Sequence, residues 1–154
     1  MGVTLRVSGI DRTIRDIKKA LDAYKAGRIF ATVGVHKDAP AEKDGTSTAM
    51  VAASNHFGTD KIPARPFLDK GVERERATIA KEVARMLAAG KRPEQAIERA
   101  ALLAVRGVQK QIDDTLSPPN SPRTIARKGS SHPLIDTGNM RQSIAYKLHD
   151  RRQE

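Results

Sequence analysis

The chain has 154 residues, no cysteine, no tryptophan and a formal charge of +10. One domain with a modest aliphatic core fits these numbers, and the missing thiols exclude disulfides and thiolate metal sites, as in a reducing cytoplasm. No basic-then-apolar leader opens the sequence, and no apolar run approaches the ~20 residues needed to span a bilayer, so a protein that is neither secreted nor membrane-bound is expected.

Val3, Leu5 and Val7 alternate with polar residues and predict a short strand that Gly9 ends. Ile10, Ile14, Ile17, Leu21 and Tyr24 recur at helical spacing up to Gly27, with charged residues on the opposite face. Arg28 to Val35 is β-branched and aromatic and predicts a second strand. Residues 36–46 turn polar, with Pro40 and Gly45, and read as a mobile loop. Ser47 or Thr48 begins a small-residue helix through Met50, Val51, Ser54 and Phe57.

Gly58 suits the end of that helix, because it takes a positive φ without a Cβ. Pro63 and Pro66 push Ile62 and Arg65 away from helical geometry, and Pro66 suits the first position of a following helix. The stretch 55–68 therefore reads as a stiff connector, with Arg65 between two prolines and Phe57, Ile62 and Phe67 along it.

Phe67, Val72, Ile79, Val83, Met86 and Leu87 mark a long helix ending near Gly90. Pro93 fits the first turn of another, with Ile97, Ala101, Val105, Val108 and Ile112 as its stripe. Gly107 marks a close backbone approach, and Asp113 and Asp114 at the helix end are explained by solvation. Three prolines between Ser117 and Pro122 exclude helix interior or sheet centre, and the polar segment 117–133 carries one helical turn at Thr124–Lys128. Leu134–Gly138 turns, Asn139–Gln142 adds a short helical turn, and Ser143–His149 alternates as a last strand with Ile144, Tyr146 and Leu148 on one face. The expected fold is α+β. A small, mainly antiparallel sheet of three strands is packed by about four helices, with long polar loops at 36–46 and 117–133 in a single domain.

Two blocks carry a resemblance. Asn55-His56-Phe57-Gly58-Thr59 with Ile62-Pro63-Ala64-Arg65-Pro66-Phe67-Leu68, and Pro133-Leu134-Ile135-Asp136-Thr137-Gly138-Asn139-Met140-Arg141-Gln142-Ser143-Ile144, occur in that order with helices between them. The pair resembles the signature of neck and tail-completion proteins of tailed bacteriophages, the virion-morphogenesis and minor tail protein Z type. The resemblance implies a structural virion protein, present in host cytoplasm during assembly. It would form a ring, commonly hexameric, that completes or caps the tail and docks it to the head–tail connector. Implied partners are other copies of the chain, tail tube or tail terminator proteins and connector proteins. Interface roles then fall to Phe57, Gly58, Ile62, Pro63, Arg65, Pro66, Phe67, Arg127, Lys128, Thr137, Gly138 and Arg141, with Arg65 free to grip carboxylates or carbonyls of a neighbour. The arms 36–46 and 117–133 would order when partners arrive.

No chemistry competes with this expectation. His36, His56, His132 and His149 stand apart, without ligand spacing. Ser131, His132 and Asp136 lack a nucleophile elbow, and Lys128-Gly129 lacks a phosphate-loop frame. Neither an enzyme nor a cofactor nor a metal is expected. The alternative is a basic nucleic-acid-associated accessory protein, since the charge favours nonspecific contact with phosphates, phage DNA included, although no base-reading motif is present.

Overall fold

Residues 29–150 are described by a computed structural model, together with the helical Lys18 and Asp22. The expected strand Val3–Val7 and the rest of the helix from Ile10 to Gly27 lie outside the described residues. The elements run β1 (Ile29–Val35), α1 (Thr48–Phe57), α2 (Phe67–Ala88), α3 (Pro93–Asp114), α4 (Pro122–Lys128), α5 (Asn139–Gln142) and β2 (Ile144–Asp150). The fold is α+β with a small antiparallel sheet, in which β1 pairs with β2 from Ile29↔Asp150 to Val35↔Ile144.

Alternation decides what each sheet face does. Ile29, Val33 and Val35 share a face with Ile144 and Tyr146, and α3 packs against both strands. Tyr146 donates its hydroxyl to Glu98 at 2.7 Å. On the other face Phe30 stacks on His149, with ring centroids 4.6 Å apart. α3 lies on the sheet, while α2 packs chiefly along α3 as an antiparallel partner.

Small residues set the distance between those helices. A Cβ on Gly71 would lie 2.5 Å from Val108 Cα, and one on Gly107 would overlap the Gly71 carbonyl oxygen. The close approach expected at Gly107 is therefore a crossing onto Gly71. At the far end Glu82 ties the pair together, accepting from Arg85 at 2.8 and 2.9 Å and from Arg99 of α3 at 3.3 Å. Arg74 and Asp114 form a further α2–α3 bridge at 2.6 Å, so Asp114 has an ion pair where solvation alone was expected.

The core gathers where the chain returns to the sheet. Ala52 of α1, Phe67 of α2, Val108 and Ile112 of α3, Leu134, Met140 and Ile144 form one buried cluster. Most large members are aliphatic, as an aromatic-poor sequence requires. The buried face of α3 also includes Ala96, Leu103 and Ala104. It is thus broader than the single stripe through Ile97 and Val105.

Two outcomes test this packing. Gly71→Ala should destabilise the protein by about 1–3 kcal/mol in urea unfolding, because overpacking outweighs the helix-propensity gain of about 1 kcal/mol. A net gain in stability would refute the close crossing. Arg85 hydrogen bonds hold the Glu82 carboxyl down to about 2 from 4.5, with Arg99 adding to the effect. A depressed carboxylate contributes stability that is full above its unfolded value and is lost as pH falls towards its folded one. Thermal stability should therefore drop between about pH 5 and about pH 2.5, and Glu82→Gln should make that drop shallower, less so at high salt.

Candidate functional site

The connector begins where α1 stops. Ser47 caps α1 by accepting from the Met50 N–H, and Gly58 closes it with φ 80° and an N–H to the Ser54 carbonyl. Gly58 also has no room for a side chain, since a Cβ there would sit 2.8 Å from the Ala64 nitrogen and 3.0 Å from the Ile62 oxygen. Thr59 and Ile62 exchange backbone hydrogen bonds of 2.8 and 3.2 Å, and the Thr59 hydroxyl accepts from the Ile62 N–H. Arg65 N–H then returns to the Asn55 carbonyl at 2.8 Å. The stretch is stiff because its backbone is paired as well as because of its prolines. Pro66 is the residue before the helix, with Phe67 first within it, one position later than the sequence pattern suggests.

Phe67 is buried, and beside it lies His56, equally inaccessible. The Leu68 N–H donates to His56 Nδ1 at 3.4 Å, so Nε2 carries the ring proton and faces Asp69 at 3.4 Å. Phe57 makes an edge contact with His56 yet is 77 % exposed.

Arg65 turns inward. Only 4 % exposed, it donates from Nε to the Pro118 carbonyl at 2.8 Å and from Nη2 to the Pro119 carbonyl at 3.2 Å. Asn55 and Asn120 side-chain oxygens accept further bonds at 3.4 and 3.5 Å. Burial pulls the guanidinium below its usual range. The expected guanidinium free for a neighbouring subunit is thus corrected, because its carbonyl partners belong to its own chain.

That grip holds the segment 117–133, which has more structure than the arm expected from its composition. Ser121 caps α4 by accepting from the Thr124 N–H, and Gly129 ends it with φ 70°. The helix spans Pro122–Lys128, longer than the single turn expected at Thr124. Lys128 Nζ donates to the His132 and Pro133 carbonyls at 3.1 and 3.5 Å, and burial lowers its pKa. His132 Nε2 donates to the Asp113 carbonyl at 2.8 Å.

The second motif works as a latch on the other loop. Gly138, at φ 82°, starts α5. Asn139 Nδ2 reaches the Pro40 and Ala41 carbonyls and the Thr48 hydroxyl at 3.1–3.4 Å, and Thr137 donates to Glu42 at 3.4 Å. These bonds order 36–46 within the chain. Arg141 forms a two-pronged pair with Asp113 at 2.6 and 2.8 Å, which holds the Asp113 carboxyl below its ordinary value. Solvation alone therefore does not account for Asp113.

The two motifs meet at an open cleft of ≈ 1060 Å³, walled by Ser54, Asn55, Ile62 and Pro63 on one side and by Leu134 and Thr137–Met140 on the other. Lys43, Lys61, Arg127 and Lys128 line it against Glu42, Asp44 and Asp136. Of these acids, Glu42 is engaged by Thr137 and Asp44 by the Thr46 N–H. Of the expected interface residues, Phe57, Pro63, Arg127 and Thr137 are exposed, whereas Arg65 and Phe67 are buried. Sequence reasoning missed Asn55, Asn120 and Asn139 as loop anchors, and Met50, which borders the cleft at 65 % exposure. Asn139 directly after a turn glycine was the one local signal for an anchoring role.

Replacing Arg65 by Ala should cost on the order of 3 kcal/mol, because hydrogen bonds from one charged group to two carbonyls disappear together. Limited proteolysis should then cut at 117–121 first. Arg65→Lys should recover only part, since one ammonium cannot span both carbonyls. Unchanged protection of 117–121 in Arg65→Ala would show that the clasp is not what holds the segment.

No protein-family model, curated protein or solved structure matches this chain.

Proposed function

We propose that the chain is a structural protein of a tailed bacteriophage virion, forming a ring at the head–tail junction that completes or caps the tail and docks it to the connector. The reading starts from the two motif blocks that resemble neck and tail-completion proteins. The observation that carries it further is their convergence. Segments far apart in sequence, 55–65 and 133–140, wall one cleft and lock two loops beside it. A protein that joins preformed assemblies needs a stiff surface more than a mobile lid, and the connector supplies one.

In this reading the protein acts by shape and contact rather than by catalysis. Its partners are further copies of itself, the tail tube or its terminator, and connector proteins, with phage DNA touched only through unspecific charge. Met50 and Phe57 support a role in assembly, since large apolar side chains this exposed gain stability when covered.

Electron cryo-microscopy of particles, or of the protein mixed with tail tubes, tests the proposal. A symmetric ring at the junction, with residues 58–67 and 134–144 near subunit boundaries, is the expected result. Absence from particles together with binding along DNA that weakens steeply with salt would replace it with the nucleic-acid reading.

A further inference from the structure

The two flanks of α1 differ in chemistry. Thr48, Ala52 and His56 form its buried face. At ~100° per residue, Met50 and Phe57 lie opposite that face, pointing outward. From them the helix surface falls away on one side through Ser54 and Asn55 into the cleft, where Lys61 and Arg127 are exposed and make no salt bridge among the described residues. On the other side lies His56, which holds the Asp69 carboxylate, 83 % exposed, next to the exposed Phe57 ring. One flank thus offers an apolar knob with a negative charge. The opposite flank offers a cleft in which Lys43, Lys61, Arg65, Arg127 and Lys128 outnumber the carboxylates of Glu42, Asp44 and Asp136, with the apolar Met50 and Ile62 at its edge.

We propose that these flanks are the two halves of one head-to-tail contact, with Phe57 and Asp69 of one copy seated in the Lys61–Arg127 cleft of the next. The occupant is a second copy of this chain, because the complementary charge and the apolar partner are both on its own surface. A contact between different patches on opposite flanks leaves a free knob and a free cleft after each addition, so it closes into a ring or grows as a filament. A two-fold contact would stop at a dimer. The inference deepens the ring reading by naming the surface that would close it, and Arg65 serves it indirectly by fixing the cleft wall.

The test uses two full-length variants. Phe57→Asp damages the knob and leaves the cleft, whereas the double variant Lys61→Glu, Arg127→Glu damages the cleft and leaves the knob. All three positions are exposed, so both variants should keep the wild-type circular dichroism spectrum. In sedimentation velocity each alone should self-associate at least tenfold more weakly than wild type. Their equimolar mixture should form a dimer and go no further, because only one productive junction remains. Since the chain has no cysteine, a Phe57→Cys chain mixed with an Arg127→Cys chain should also give a bismaleimide-linked dimer in higher yield than either alone. A mixture that stays monomeric overturns the head-to-tail contact. If wild type assembles and both variants assemble equally well, this surface is wrong while the ring reading stands. Wild-type protein that stays monomeric even when concentrated removes the contact, and a contact that forms in protein absent from particles leaves it standing while removing the neck reading.

Discussion

Pro118 and Pro119 create a problem that Arg65 resolves. Proline has no N–H, so this segment cannot join a ladder or continue a helix, yet its carbonyls are brought against the protein and still need donors. A guanidinium is the matching object, with donors in a fixed fork and no acceptor. An acceptor-rich peptide meets a donor-only side chain, and Nε and Nη2 reach consecutive carbonyls. Burying the cation costs solvation, visible as its lowered pKa, but an arginine starts so far above neutrality that it keeps its charge. Arg65 can be held there because its own backbone is pinned to Asn55 and flanked by prolines.

The rest of the cleft follows from that clasp. With residues 118–120 fixed, Ser121 begins α4, and Lys128 at its end ties back to the His132 and Pro133 carbonyls. Leu134 then enters the core beside Met140 and Ile144, which sets the start of β2 and its register with β1. Asn139, carried in the same turn, pins the 36–46 loop. The order of dependence runs along the chain: loops usually hang from a sheet, whereas here a loop contact precedes the last strand and leads into it.

Local grammar made the elements legible. The serine cap, Gly58 and Pro93 marked both ends of α1 and the start of α3 closely, because each acts within a few residues. The destination of polar side chains was not legible. Arg65 between prolines looks the same in sequence whether it faces a neighbour or its own chain, since the proline carbonyls it grips lie more than fifty positions away. Composition likewise misjudged 36–46 and 117–133. Both are too polar to build a core, but hydrogen bonds from Asn139, Arg65 and Lys128 satisfy their carbonyls instead. Nor could periodicity tell that Gly71 faces Gly107, as a pair of small residues on two helices has meaning only once they cross.

The formal charge of +10 is a net excess, and several of the cations behind it are committed within the fold. Arg65 is buried on carbonyls, Arg141 is paired with Asp113, Arg74 with Asp114, and Arg85 and Arg99 share Glu82. Each of these cations is used up in holding the fold. Charge that can act on another molecule is what remains, and around the cleft that is Lys43, Lys61 and Arg127. Polyanion binding needs many phosphates neutralised at once, whereas three cations beside exposed apolar groups suit a single carboxylate carried on an apolar side of another protein. Six of the ten arginines among the described residues, Arg76 beside Glu73 included, are thus engaged within the chain, and on the proposed reading the cations left at the cleft serve a protein contact rather than a nucleic-acid one.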